Sequence, residues 1–154
     1  MLSTVIIDDD EIAIFLLSNL LIKLTSFEIH IAGTANNLEE GVDLIKKTQP
    51  DLVFLDINMP NKKGLEIFNE FKSPQFKIIF CTAFQQYAID VLRIAACGYL
   101  LKPVDFIELR EAVQKAALEL SREQKQLQLE DKLNYLNTPE MPGKISFSML
   151  RMAS

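Results

Sequence analysis

Residues 52–60 read LVFLDINMP. Leu52, Val53, Phe54 and Leu55 form an unbroken apolar run that stops at Asp56, and Pro60 and Gly64 follow closely enough to turn the chain. A run this short and apolar fits a strand buried on both faces, as in a parallel sheet covered by helices; a helix of equal burial needs ten or more residues. The terminal carboxylate adds a second clue. In open parallel sheets, ligands bind beyond the carboxyl ends of the strands.

Working outward, residues 4–7, 77–81 and 99–101 are also apolar enough for central strands. Residues 28–32 instead alternate Ile29 and Ile31 around His30, which predicts an edge strand and a structural role for His30. Apolar residues at helical spacing predict helices over 11–24, 38–48, 64–71 and 85–95, and from Phe106 onward. In the first, Ile12, Phe15, Leu16, Leu20 and Leu24 are expected to form one buried stripe. Asn37 and Asp105 are natural N-caps, with Glu108 three residues beyond Asp105 approximating a capping box. The pattern is (βα)5, an α/β fold with a doubly wound five-stranded parallel sheet in the flavodoxin-like order 2-1-3-4-5.

The chain has 154 residues and a formal charge of −5. Residues 1–121 are expected to form one domain. Residues 122–143 form a helical linker that extends the fifth helix to a Pro139 and Pro142-Gly143 break, and residues 144–154 form a stub. Along the linker Leu120 and Leu127, then Leu129, Leu133 and Leu136, make a stripe that either zips two chains together or is a solvated helix. The acidity and the lack of a Lys/Arg cluster weigh against direct nucleic-acid binding. Cys81 and Cys97 lack metal-ligand spacing and read as small buried hydrophobes in a reduced protein. No signal peptide or run of about 20 apolar residues occurs, so a cytoplasmic protein without a membrane span is expected.

Polar residues concentrate just after the expected strands: Asp8, Asp9 and Asp10 after the first, Asp56 after the third, Thr82 after the fourth, and Lys102-Pro103 after the fifth. The order 2-1-3-4-5 sets Asp56 beside the acidic cluster, with Thr82 and Lys102 on its other side. Clustered carboxylates without histidine or cysteine suit a hard cation, above all Mg²⁺. An ammonium and a hydroxyl on the opposite flank can neutralise phosphoryl oxygens while a carboxylate attacks phosphorus. Each element alone has a plainer reading as a helix cap, turn or strand end. Their convergence at one end of successive strands favours a site.

The strings IIDDDE (6–11), LVFLDINMP (52–60), FCTAF (80–84) and GYLLKP (98–103) resemble the receiver domain of two-component response regulators, over about residues 2 to 120. The longer FCTAFQQYAIDVLRIAACGYLLKPVDFIELREAV is most similar to receivers of the LytR/AlgR kind, which precede a LytTR-type DNA-binding domain. Cys97-Gly98 before Tyr99 departs mildly from that subfamily, where an acidic residue is common.

The resemblance implies that Asp56 is the phosphoacceptor and that Asp8, Asp9, Asp56 and the backbone carbonyl of Asn58 hold Mg²⁺. It assigns Asp10 to capping the first helix, Thr82 and Lys102 to the phosphoryl oxygens, and Tyr99 to a switch. A cis Lys102-Pro103 peptide would aim the lysine inward, and the Phe84 ring would obstruct the hydrolytic water. It further implies a sensor histidine kinase as donor, homodimerisation on phosphorylation through residues 85–92 and 101–113, and DNA contact only through a C-terminal output domain not present in this chain. KISFSML (144–150) is similar to the start of such a domain. Such a protein is a signalling receiver that assists its own phosphorylation and dephosphorylation, not an enzyme.

A stand-alone receiver or phosphorelay intermediate is the alternative. A haloacid-dehalogenase-type phosphatase would need a second Asp at position 58, where the chain has Asn58. A nucleotide-binding fold would need a Gly-rich phosphate loop, and none follows any strand.

Overall fold

A computed structural model describes residues 1–84 and 98–137. Five parallel strands, β1 (Leu2–Ile7), β2 (Ile29–Ala35), β3 (Leu52–Leu55), β4 (Lys77–Thr82) and β5 (Gly98–Leu101), lie in the order β2-β1-β3-β4-β5. The helices are α1 (Glu11–Ile22), α2 (Leu38–Thr48), α3 (Ile67–Glu70) after a 3-10 turn over Gly64–Glu66, and α4 (Phe106–Leu136). The fold is the expected flavodoxin-like one. The helix expected over residues 85–95, Cys97 and the stub of residues 144–154 lie outside the described residues.

Alternation along the strands divides the core into two layers. Val5, Ile7, Val53, Leu55, Ile78 and Phe80 pack on one face with Leu38, Val42 and Ile45 of α2 and Ile67 of α3. Ile6, Phe54, Ile79 and Cys81 pack on the other with Leu17 and Leu21 of α1 and Leu109 and Val113 of α4. The caps form as expected. Asp10 accepts from the Ile12 N–H at 3.0 Å, Asn37 from Glu40 at 2.8 Å and Asp105 from Glu108 at 3.0 Å.

One expectation about burial fails. In α1, Ile12, Phe15 and Leu16 are 69%, 65% and 55% exposed, and the buried face is Leu17 and Leu21, with Leu24 just beyond the helix. The helix, EIAIFLLSNLLI, is apolar nearly all round, so several stripes satisfy the same periodicity and only the neighbours select one. β5, though apolar enough for a central strand, occupies the edge that the expected order 2-1-3-4-5 gives it, with Leu101 partly exposed. Sheet order leaves it no second neighbour.

By compactness the chain divides at Leu118 and Glu119, within the single helix α4. Beyond that point Leu127, Leu129 and Leu133 are exposed. No helix of the described residues is long and apolar enough to cross a membrane.

Candidate functional site

Sheet register carries the polar residues to one edge. Ile7 is level with both Ala35 and Leu55, the Asp8 N–H donates to the Ala35 carbonyl at 3.0 Å, and the Asp56 N–H donates to the Ile7 carbonyl at 3.0 Å. Thr82 is level with Leu101, and the Lys102 N–H donates to the Thr82 carbonyl at 2.9 Å. Asp8, Asp56, Thr82 and Lys102 therefore leave the sheet together. Thr82, Asp8 and Asp56 are buried, and Asp9 is exposed at the rim.

The Lys102 ammonium lies 2.6 Å from Asp8 Oδ2 and 3.1 Å from Asp56 Oδ2. Its peptide bond to Pro103 is cis. Burial pushes the Asp8 carboxyl above its ordinary value, opposed by the hydrogen bonds from Lys102 and the Asp10 N–H and reinforced by the charge of Asp56. For Lys102, burial acts to lower the pKa, but the hydrogen bond and charge of Asp8, with those of Asp56, outweigh it and hold the ammonium above its usual range. Burial pushes the Cys81 thiol up, which agrees with an unreactive packing role.

Carboxylate oxygens of Asp8, Asp9 and Asp56 lie within 4.8 Å of one another. Three carboxylates thus face one ammonium. An all-oxygen, electronegative cluster of this kind fits a hard divalent cation. Asp10 belongs to helix α1 as its cap, and its N–H donates to Asp8 Oδ1 at 2.9 Å. His30 sits exposed near the start of β2, paired with Ser3 and not with the strand ends that carry the site.

On the flank of Asp56, the Asn58 N–H donates to Asp56 Oδ1 at 3.2 Å. On the side toward β4, the Phe84 N–H donates to Thr82 Oγ1 at 3.4 Å and the Tyr99 hydroxyl donates to the Phe84 carbonyl. Thr82 and Tyr99 are therefore linked through the backbone of Phe84.

Two contributions escaped the sequence reading, which took Gly64 only as a turn residue. The Gly64 N–H donates to the Ile57 carbonyl at 2.7 Å, and a Cβ on Gly64 would stand 2.3 Å from the Asp56 carbonyl oxygen. Backbone is the obstacle there, so Gly64→Ala must displace the loop that carries Asp56. We expect a loss of about 1–3 kcal/mol in denaturant unfolding. The other is Lys63, whose ammonium donates to Asn58 Oδ1. The only signal for either in the sequence is the KKG triplet at 62–64.

Over residues 4–114 the sequence matches the response regulator receiver domain family. The chain belongs to that family. The receiver is 36% identical over 119 residues to the positive alginate biosynthesis regulatory protein of Pseudomonas aeruginosa, covering 75% of this chain and 47% of that protein. It is 35% identical over 135 residues to the sensory transduction protein LytT of Bacillus anthracis, covering 86% and 52%. These relatives bear out the resemblance to the LytR/AlgR kind. The chain spans about half the length of the curated relatives it matches. Among solved structures, it superimposes on CheY from the CheX-CheY-BeF3-Mg²⁺ complex of Borrelia burgdorferi with a TM-score of 0.62 and 28% identity, covering 73% of this chain and 86% of that one. A LuxR-family DNA-binding response regulator of Staphylococcus aureus gives a TM-score of 0.64 at 26% identity, covering 75% and 98%.

Proposed function

We propose that this receiver takes a phosphoryl group onto Asp56 from the phosphohistidine of a sensor histidine kinase. The observation that carries the reading is the pairing of a buried Asp56 carboxylate with the Lys102 ammonium at 3.1 Å, beside the Asp8 and Asp9 carboxylates. Asp56 is the nucleophile. Its oxygen bonds to phosphorus while the bond from phosphorus to the histidine nitrogen breaks, and that electron pair stays on the imidazole.

Lys102 offsets the charge that would otherwise repel the incoming phosphoryl oxygens. Asp8, Asp9, Asp56 and the backbone carbonyl of Asn58 are the groups that would hold Mg²⁺, which neutralises negative charge on the phosphoryl oxygens when bound. Support comes from the all-oxygen cluster, and the structurally similar CheY is known bound to BeF3 and Mg²⁺ together. The exposed Ile12, Phe15 and Leu16, on the helix that Asp10 caps, are the apolar surface we assign to the protein donor.

Phosphorylation adds about −1.5 to −2 charges, by analogy with ordinary phosphoresidues. The Thr82 hydroxyl then turns to a phosphoryl oxygen and gives up the Phe84 N–H, which releases the Phe84 carbonyl and the Tyr99 hydroxyl bound to it. That is a bistable element biased by local charge. We assign homodimerisation to residues 101–113, together with residues 85–92, which lie outside the described residues. The output we assign is transcription control through a DNA-binding domain beyond this chain, in line with the DNA-binding response regulator of Staphylococcus aureus on which it superimposes. Phe84, 41% exposed beside Thr82, is positioned to slow hydrolysis of the acyl phosphate.

The test is covalent labelling by acetyl phosphate, followed by mass mapping of the modified peptide. The expected result is one phosphoryl group on Asp56, with labelling lost when Mg²⁺ is chelated. Labelling elsewhere, or undiminished by chelation, would overturn the assignment.

A further inference from the structure

The first part of the 31-residue helix α4 packs into the core through Leu109, Val113 and Ala116. From Ser121 to Tyr135 every residue is exposed. An isolated helix of about 15 residues is marginal in water, because its first turn is costly to form. Here that turn is already made in the packed part, and the exposed part only prolongs it.

Leu129, Leu133 and Leu136 recur at spacings of four and three, as the a and d residues of a coiled coil do, and Gln126 precedes them in the same series. In that heptad Gln126 and Leu133 are a positions, and Leu129 and Leu136 are d positions. The flanks then carry opposite charges. Lys125 and Lys132 occupy g on one side of the seam, and Glu130, like Glu123 a heptad earlier, occupies e on the other. The rival seam, through Leu120 and Leu127, fails on chemistry. Leu120 is buried already, and the alternate layers would hold either Glu123 and Glu130 or Gln124 and Asp131.

Charge also chooses the direction of the second helix. In an antiparallel pair g faces g and e faces e, which sets lysine against lysine and glutamate against glutamate. In a parallel, in-register pair g faces the e position five residues further along the other chain, so Lys125 of each copy meets Glu130 of the other. Within one helix these two side chains stand on opposite flanks and do not face each other. Glu130 there accepts a 3.4 Å hydrogen bond from Gln126. Parallel pairing also brings Gln126 against Gln126 of the second copy, where two amides can donate and accept reciprocally.

We propose that residues 125–136 pair with the same segment of a second copy of this chain as a parallel, in-register, two-stranded coiled coil. The seam lies outside residues 101–113 and needs no phosphoryl group, so it stands apart from the reading of Asp56. It is two heptads long, and its association is weak by itself.

The test is disulfide trapping in the full, unphosphorylated chain at high protein concentration. Diamide serves as oxidant, and mass mapping of the linked peptides separates introduced thiols from Cys81 and Cys97. Leu127 and Leu129 are 53% and 59% exposed, so Leu127→Cys is a matched control on the other side of the helix. Leu129→Cys is expected to link to its own copy about tenfold faster than Leu127→Cys, because a parallel d layer brings the two sulfurs within bonding reach. Adding Lys125→Glu should slow the Leu129→Cys link about fivefold, and Glu130→Lys in the same chain should restore it, since the exchanged charges are again opposite. Equal rates for Leu127→Cys and Leu129→Cys overturn the seam. A link that Lys125→Glu leaves unslowed, or that Glu130→Lys does not restore, overturns the parallel pairing.

Discussion

Asparagine at position 56 is expected to abolish phosphoryl labelling while leaving the protein folded. The amide is nearly the shape of the carboxylate and keeps an oxygen to accept the Asn58 N–H, which donates to Asp56 Oδ1 at 3.2 Å. It has no anionic oxygen to attack phosphorus, so labelling by acetyl phosphate should fall by about a thousandfold or more. The fold should tolerate the change because Lys102 keeps its shorter contact, 2.6 Å, to Asp8. One of three clustered negative charges is also removed. Thermal unfolding should therefore stay within about 1 kcal/mol of wild type. Equal labelling of Asp56→Asn and wild type would reassign the phosphoacceptor. A folded but unlabelled variant is the expected outcome.

Lys102→Ala should do the opposite and damage both stability and chemistry. It removes the ammonium that touches Asp8 at 2.6 Å and Asp56 at 3.1 Å, and leaves two buried carboxylates facing each other. Breaking a buried pair by deleting one partner costs about 3–5 kcal/mol; the partial exposure of Lys102 brings the expectation to about 2–4 kcal/mol.

The loss should depend on pH in a defined direction. Burial and the charge of Asp56 both raise Asp8 above its ordinary carboxyl value, and Lys102, with the Asp10 N–H, opposes them. Without the lysine the folded state binds protons more readily than the unfolded chain, so unfolding free energy falls as pH rises through the folded pKa. Stability should recover as pH is lowered toward the unfolded carboxyl value, and also on adding Mg²⁺ at neutral pH. Denaturant unfolding across pH, with and without Mg²⁺, is the measurement. A variant as stable as wild type at neutral pH without Mg²⁺ would mean that Lys102 does not compensate the acid pair.

The architecture was legible because its signals are local. LVFL at 52–55 is too short and apolar for anything but a buried strand, and Asn37, Asp10 and Asp105 mark helix starts by side-chain chemistry that needs no distant partner. The site was legible for a related reason. Parallel strands all end on one edge, so polar residues just after them, Asp8, Asp56, Thr82 and Lys102, converge whatever the detail of the helices between.

The α1 stripe was not legible, nor was Lys63. Both depend on which of several equivalent contacts the folded chain selects.

By itself, then, the sequence determined the strand and helix pattern, the strand-end carboxylates and the lysine that meets them, because periodicity and chain order are carried residue by residue. The tertiary structure alone decided that Leu17 and Leu21, not Ile12, Phe15 and Leu16, enter the core. It alone decided that Gly64 presses on the Asp56 backbone and that Lys63 holds Asn58. An apolar helix offers more than one face to a core, and an exposed lysine offers its ammonium to many acceptors. Only the packed neighbours distinguish among options that are equal in the chain.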